Sequence, residues 1–248
     1  MAKILIPLPA QDFDPTEAAI PWRVLRQAGH EILFATPEGL PAQADPRMLD
    51  GHGLGPFKPF LVAEPAARQA YSEMAASPEF KSPLTYEAIA RAQPDGFVLP
   101  GGHAPGMRTY LESEVLQARV GEAIQAGKPV GAICHGVLLA ARARTTAGRS
   151  ALFGKKVTAL PRWMELNAWA LTALWLGTYY RTYPKTVEQE VKEALRDPSD
   201  FSRGPLSLQR DRPDRLARGF VVRDGNLITA RWPGDAHRFA QEVSGSFW

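Results

Sequence analysis

The stretch Pro129-Val130-Gly131-Ala132-Ile133-Cys134-His135-Gly136, followed by Val137-Leu138-Leu139-Ala140-Ala141, limits the fold of this chain more than any other. The apolar run before Cys134 reads as a buried parallel strand and the run after Gly136 as the opening of a helix, so Cys134 falls on the turn between them. Such a turn projects its side chain from the carboxyl edge of a sheet, where open α/β folds place their sites. Ala132 and Gly136 flank the cysteine where a tight elbow brings backbone against backbone. The following helix aims free N–H groups and its positive dipole end at the sulfur, which favours thiolate over thiol. The same placement also suits a small buried residue closing a strand, and the elbow pattern alone does not separate the two readings.

The rest of the chain supplies the sheet this elbow needs. Lys3 to Leu8 suits a buried first strand, Asp14 to Gly29 a helix with an Asp cap, a Pro at the first position and a closing Gly, and His30 to Pro37 a second strand. These form a β-α-β unit with a right-handed crossover. A short helix over Thr85–Ala92, a strand over Asp95–Pro100 and an amphipathic helix over Tyr110–Ala126 lead into the elbow. Lys155 to Leu160 reads as a further strand, Thr186 to Leu195 as a polar helix, Gly219 to Ala230 as a hairpin turning at Asp224-Gly225, and a final helix begins after Asp235. Between these lie two long segments. Residues 39–83 are rich in Pro, Gly and Ala, with one helix expected from Pro65 through Met74, and connections of that length are functional or carry structure of their own. Residues after 160 are Trp-rich, and their aromatic side chains suit core or subunit contact better than base stacking, since little positive charge interleaves with them.

Other candidate residues lie on the same sheet edge. Glu17 sits in the first turn of the first helix, an ordinary place for a carboxylate on the helix dipole. Gly101 and Gly102 end a strand, where a backbone without Cβ can turn sharply and offer N–H groups, making Gly102 a candidate oxyanion donor. His103 either lines the pocket or bonds within its loop, and His52, in Gly51-His52-Gly53, reads as a solvent-facing turn residue.

The single cysteine among 248 residues excludes an internal disulfide and a multi-cysteine metal site. Twenty-nine basic residues against 26 acidic, with the arginines scattered, describe a general surface and not a nucleic-acid footprint. No apolar stretch is long enough for a membrane span or a signal peptide, so a cytoplasmic protein is expected.

Three motifs in order, each at a strand end, carry a family resemblance: Glu17-Ala18-Ala19-Ile20-Pro21 with Ala28-Gly29 and Ala35-Thr36-Pro37; Leu99-Pro100-Gly101-Gly102-His103; and Ala132-Ile133-Cys134-His135-Gly136. Together they resemble the ThiJ/PfpI superfamily, whose core resembles the class I glutamine amidotransferase fold. The resemblance covers most of the chain. It implies one flavodoxin-like α/β domain over residues 1–248, a mostly parallel sheet sandwiched by helices, with cap segments inserted at about 39–83 and 161–215. It implies Cys134 as nucleophile, Glu17 in contact with it, the amides of Gly102 and His135 as oxyanion donors, and Gly101 and His103 beside the substrate. In the protease-like and heat-shock-protein-31-like branches an acidic residue orients the histidine after the cysteine, and Glu165 is the candidate for that role here, although Pro161-Arg162-Trp163-Met164 departs from the family pattern. A glutamine amidotransferase would carry Gly at 132 and a downstream His-x-Glu, and neither is present. The size of the chain resembles the larger heat-shock-protein-31-like members. That branch implies a cofactor-independent, metal-free glyoxalase III (D-lactate dehydratase) turning methylglyoxal into lactate in stress protection, with a small-molecule substrate and a homodimeric assembly. A PfpI-type cysteine amidase or peptidase, and a stress chaperone or oxidation sensor, are the alternatives.

Overall fold

The computed structural model describes residues 1–247. Nine strands occur among them: β1 (Lys3–Pro7), β2 (Gln11–Phe13), β3 (Glu31–Thr36), β4 (Gln43–Ala44), β5 (Leu84–Thr85), β6 (Gly96–Leu99), β7 (Val130–Ile133), β8 (Val221–Asp224) and β9 (Leu227–Ala230). Seven form one sheet in the order β5-β3-β1-β6-β7-β9-β8, parallel throughout except for the β8–β9 hairpin, while β2 and β4 pair separately. The main helices are α1 (Pro15–Gln27), α2 (Pro65–Ala76), α3 (Glu114–Gln125), α4 (Gly136–Arg142), α5 (Arg162–Leu176), α6 (Val187–Ala194) and α7 (Ala236–Ser244). Helices α1, α2 and α7 pack together over one face of the sheet, and α3, α4 and α6 over the other. Ile4, Leu5 and Ile6 of β1 and all four residues of β7 are buried, as expected where a parallel strand is covered on both faces. None of the described helices is long and apolar enough to cross a membrane.

Local chemistry accounts for the elements that position the sheet edge. The Asp14 carboxylate accepts from the amides of Thr16 and Glu17 at 2.8 and 3.1 Å, Pro15 occupies the first turn, and Gly29 closes α1 at φ +82°. The loop after β9 is pinned by a buried two-point ion pair, in which Arg231 Nε and Nη2 lie 2.8 and 2.9 Å from the two oxygens of Asp235. The elbow depends on a missing side chain: a Cβ on Gly136 would fall on the Leu99 carbonyl oxygen at the end of β6.

Some expectations need correction. Lys155–Leu160 forms no strand; Val157 makes one parallel bridge with Phe201, while the flanking amides of Lys156 and Thr158 donate to the Asp224 and Thr229 side chains in place of a backbone ladder. The Tyr110–Ala126 segment is broken at Ser113, whose hydroxyl caps the Leu116 amide and restarts the chain as α3. Thr85–Ala92 is a 3-10 turn capped by Thr85 and then a single helical turn. The helix expected over Pro65–Met74 is α2, and His52 is an exposed turn residue.

The two inserted segments meet. Trp175 of α5 donates its indole N–H to the Gly53 carbonyl at 2.7 Å and stacks on Phe57, with ring centroids 6.2 Å apart. Arg212 pairs with Glu64 at 2.9 Å. The aromatic stretch divides: Tyr180 is buried in a small cluster with Met48 and Leu54 and Tyr183 packs against the main core, whereas Trp169 and Trp175 remain 36% and 44% exposed, Trp175 holding α5 against the 50s segment.

Gly136→Ala is expected to lower stability by about 1–3 kcal/mol, because the added carbon meets rigid backbone. Gly245→Ala, at a glycine whose Cβ direction is empty, should leave the urea midpoint unchanged. Equal midpoints for the two variants would contradict the close approach at the elbow.

Candidate active site

Three strand ends and one helix start converge on Cys134. The cysteine takes φ +56°, a left-handed conformation that a non-glycine residue adopts at a cost of about 1–3 kcal/mol, so the surrounding packing imposes it. Its amide donates to the Ala230 carbonyl of β9 at 3.1 Å, and the His135 amide points at its sulfur. Glu17, in the buried first turn of α1, sends Oε2 to the Gly101 amide at 2.8 Å, and its carboxyl and the Cys134 thiol are hydrogen-bond partners. Gly101 leaves room for this: a Cβ there would lie 2.7 Å from both Glu17 Oε2 and the His135 nitrogen. The Gly101 amide is thus spent on Glu17, whereas the Gly102 amide makes no hydrogen bond among the described residues and borders the same pocket.

His135 is buried and both ring nitrogens are accounted for. Nδ1 lies 3.6 Å from the Cys134 sulfur and Nε2 lies 3.2 Å from the Thr182 hydroxyl. That hydroxyl also lies 2.7 Å from the His103 carbonyl, which can only accept. A hydroxyl has one hydrogen, so with it donated to His103 the Thr182 oxygen accepts from Nε2–H. The proton is thereby assigned to Nε2, and the bare Nδ1 faces the thiol.

Glu165 is not on the imidazole. Its Oε2 accepts from the Val187 amide at 2.9 Å, and Oε1 lies 3.7 Å from Arg181, so it anchors the start of α6 and not His135. Thr182 occupies the position expected of an acid. Nothing in the sequence marks Thr182, which lies 47 residues beyond His135 in an irregular turn. His103 lines the pocket with its ring stacked on Tyr180 at 4.1 Å, while its carbonyl holds Thr182.

The electrostatics differ from the helix-dipole expectation. Burial, reinforced by Glu17 and Asp14, pushes the Cys134 thiol well above its ordinary value, outweighing the His135 amide. Burial and Asp14 likewise push Glu17 well up, so it keeps its proton. Burial, then the neighbouring His103 and Arg142, lowers His135 to about 3, leaving it neutral. The resting cluster is a neutral thiol between a protonated acid and an imidazole with a free lone pair. Among the described residues no group of His, Cys, Asp and Glu is arranged to hold a metal ion.

A parallel sheet with a strained cysteine elbow at its carboxyl edge and an acid from the first helix against the sulfur defines a class of α/β proteins built around one elbow cysteine. Residues 8–203 match the family model described as ThiJ/PfpI family-like, and the chain belongs to that family. It is similar to the protein DJ-1 homolog D of Arabidopsis thaliana, with 32% identity over 133 residues covering 54% of this chain and 30% of that one. It is also similar to a protein of Pyrococcus horikoshii named as a deglycase, with 28% identity over 142 residues, covering 57% of this chain and 66% of that one. The chain therefore spans between about a third and two thirds of these relatives' lengths. Among solved structures, glyoxalase III from Candida albicans superposes with a TM-score of 0.64 at 18% identity, covering 99% of this chain and 97% of that one, a likeness of fold.

Two outcomes follow from the geometry. In nitrogen-detected NMR the wild-type His135 is expected as the Nε2–H tautomer; Thr182→Val should mix the tautomers and Thr182→Ser should restore the single form, whereas an unchanged spectrum in Thr182→Val would remove Thr182 from that role. Asp14 is raised from 3.8 to about 6 by burial. The folded protein then holds a proton the unfolded chain has lost, so stability is full below 3.8 and falls as pH rises towards about 6, by about 1–3 kcal/mol. Burial raises Glu17, Glu165 and Asp211 as well, so Asp14→Asn, which keeps a cap, should remove only Asp14's share of the slope in pH-dependent urea titrations; a slope identical to that of the wild type between pH 3.8 and about 6 would assign no part of it to Asp14.

Proposed function

We propose that this protein is a cysteine-dependent enzyme acting on reactive carbonyl compounds, converting a 2-oxoaldehyde into a 2-hydroxy acid without glutathione. The observation that carries this is the cluster itself: the Cys134 thiol lies between a carboxyl that keeps its proton and an imidazole nitrogen that lacks one. The names borne by relatives, deglycase and glyoxalase III, point to the same substrate chemistry.

Each proton in the sequence of steps has a holder. His135 Nδ1 takes the thiol proton as sulfur adds to the aldehyde carbon, and Glu17 gives its proton to the aldehyde oxygen, forming a hemithioacetal. The Glu17 carboxylate then removes the hydrogen from the former aldehyde carbon while the His135 imidazolium protonates the adjacent carbonyl oxygen, giving a neutral enediol. Glu17 returns that hydrogen to the adjacent carbon as His135 takes the proton of the first hydroxyl, giving the thioester. Water then adds to the thioester, losing a proton to Glu17, and the proton on His135 goes to the sulfur as it leaves. The amides of Gly102 and His135 are placed to stabilise the oxyanion formed on hydrolysis. Thr182 acts as a positioning residue that keeps Nδ1 bare.

The test is D-lactate formation from methylglyoxal in the absence of glutathione. Cys134→Ala should abolish it, and Glu17→Gln and His135→Ala should each lower kcat by about 10²–10⁴. Unchanged turnover in Cys134→Ala and Glu17→Gln would eliminate the scheme.

A further inference from the structure

The pocket over Cys134 is much larger than the chemistry requires. Its volume is about 840 Å³. A three-carbon oxoaldehyde displaces only a few water volumes of about 30 Å³ each, whereas pockets of roughly 300–1,000 Å³ hold ligands of drug size. Its apolar wall comes from both inserted segments, with Met48, Phe60 and Leu61 facing Ala168, Leu171 and Leu208.

The polar groups left over around this wall share a character. Trp163, Trp232 and Tyr180 line the pocket, and their indole N–H groups and hydroxyl are buried with no hydrogen-bond partner among the described residues. An indole N–H can only donate, so its missing partner is an acceptor. Trp232 lies two residues past Ala230, whose carbonyl receives the Cys134 amide, and this puts it on the strand end next to the elbow. The Arg210 guanidinium sits 5.3 Å above the Trp232 ring and donates to the Phe60 carbonyl at 3.2 Å, bridging the sheet edge and the wall. Its charge reaches Asp14. Arg218 also borders the pocket, is exposed, and has no partner among the described residues.

The acidic groups of the pocket are already engaged. Glu64 pairs with Arg212, Glu165 with Arg181 and the Val187 amide, Asp14 with the first amides of α1, and Glu17 with Gly101. The Arg210 and Arg218 guanidinium groups therefore remain for a ligand.

We infer that this pocket takes an amphipathic anion, a carbonyl compound whose apolar body of medium chain length lies against Phe60, Leu171 and Leu208 and whose carboxylate or phosphate is held by Arg210 and Arg218. This deepens the proposed function by naming its substrate class, and it depends on that reading only for where the carbonyl carbon sits. Guanidinium groups take up planar or tetrahedral oxyanions by paired hydrogen bonds, and the apolar wall supplies the rest of the affinity.

Binding to the Cys134→Ala protein, measured by titration calorimetry at fixed ionic strength, tests this apart from any turnover. Octanoate or octyl phosphate is expected to bind at least about tenfold more tightly than acetate and than octanol, the tighter of the two naming the end group. Arg210→Gln combined with Arg218→Gln should weaken the anion by about tenfold or more and leave octanol unchanged. Equal affinity for octanol and both anions, no advantage over acetate, or indifference to the double substitution would overturn the inference. Because no thiol is present in this assay, failure of methylglyoxal turnover in the wild type would leave the binding result standing, and loss of binding would leave the turnover result standing.

Discussion

The structure of the site depends on one desolvated carboxyl. Glu17 is fully buried, begins the helix that follows β1, and reaches both the amide at the end of β6 and the thiol at the end of β7. An ionised carboxylate there would face Asp14 without a cation among its contacts, so burial is tolerable only if the group keeps its proton. The neutral acid in turn is fixed through Oε2, which accepts from the Gly101 amide. Gly101 cannot carry a side chain because the carboxyl oxygen and the His135 amide occupy that space, and Gly136 cannot because the elbow rests on the end of β6. The positive φ of Cys134 is the remaining cost of bringing these three segments to one point.

Much of this architecture was legible in the sequence because parallel strands and their following helices announce themselves as short apolar runs with caps. The elbow, the β6 turn and the α1 cap all lie where their local patterns put them. What spacing alone left open was the direction of Glu17: an acidic first turn is ordinary on a solvent-facing helix, and here it faces inward because residues 15–22 are all buried. Lys155–Leu160 has the composition of a strand, but its amides at Lys156 and Thr158 are taken by the Asp224 and Thr229 side chains, partners far away in the sequence. Thr182 has no local signature, since its role arises from a chain that returns to the elbow after two insertions. The ionisation of the thiol was misjudged for a related reason. A dipole argument weighs one helix, whereas the sulfur responds to its whole surroundings, in which burial and two carboxyl groups prevail.

Chemistry and selectivity occupy different parts of the chain. The groups proposed to react sit on the sheet edge, held by backbone amides and a buried ion pair in the loop after β9, whereas the apolar pocket wall belongs to the segments at 39–83 and 161–215. Those segments brace each other through Trp175 on Gly53, Arg210 on Phe60 and Arg212 on Glu64, so the wall is built largely from contacts between insertions. Substitutions in the wall can alter what is bound without disturbing the proton arrangement at Cys134.

That proton arrangement bears on which thiol chemistry the site favours. A cysteine amidase works through a thiolate paired with an imidazolium, and the imidazolium must later protonate an amine as it leaves. Separating charge in this way is disfavoured where burial and two nearby acids keep the proton on the thiol, where burial with His103 and Arg142 keeps the imidazole neutral, and where a hydroxyl stands in the place of an orienting carboxylate. In the proposed addition of the thiol to an aldehyde, the carboxylate and imidazolium left on Glu17 and His135 compensate each other and are both discharged at the neutral enediol, so the charge separation does not last. A buried site that stores one proton on a carboxyl and keeps one imidazole nitrogen bare is matched to that sequence, since each transfer moves a proton between neighbouring groups without leaving an uncompensated ion behind.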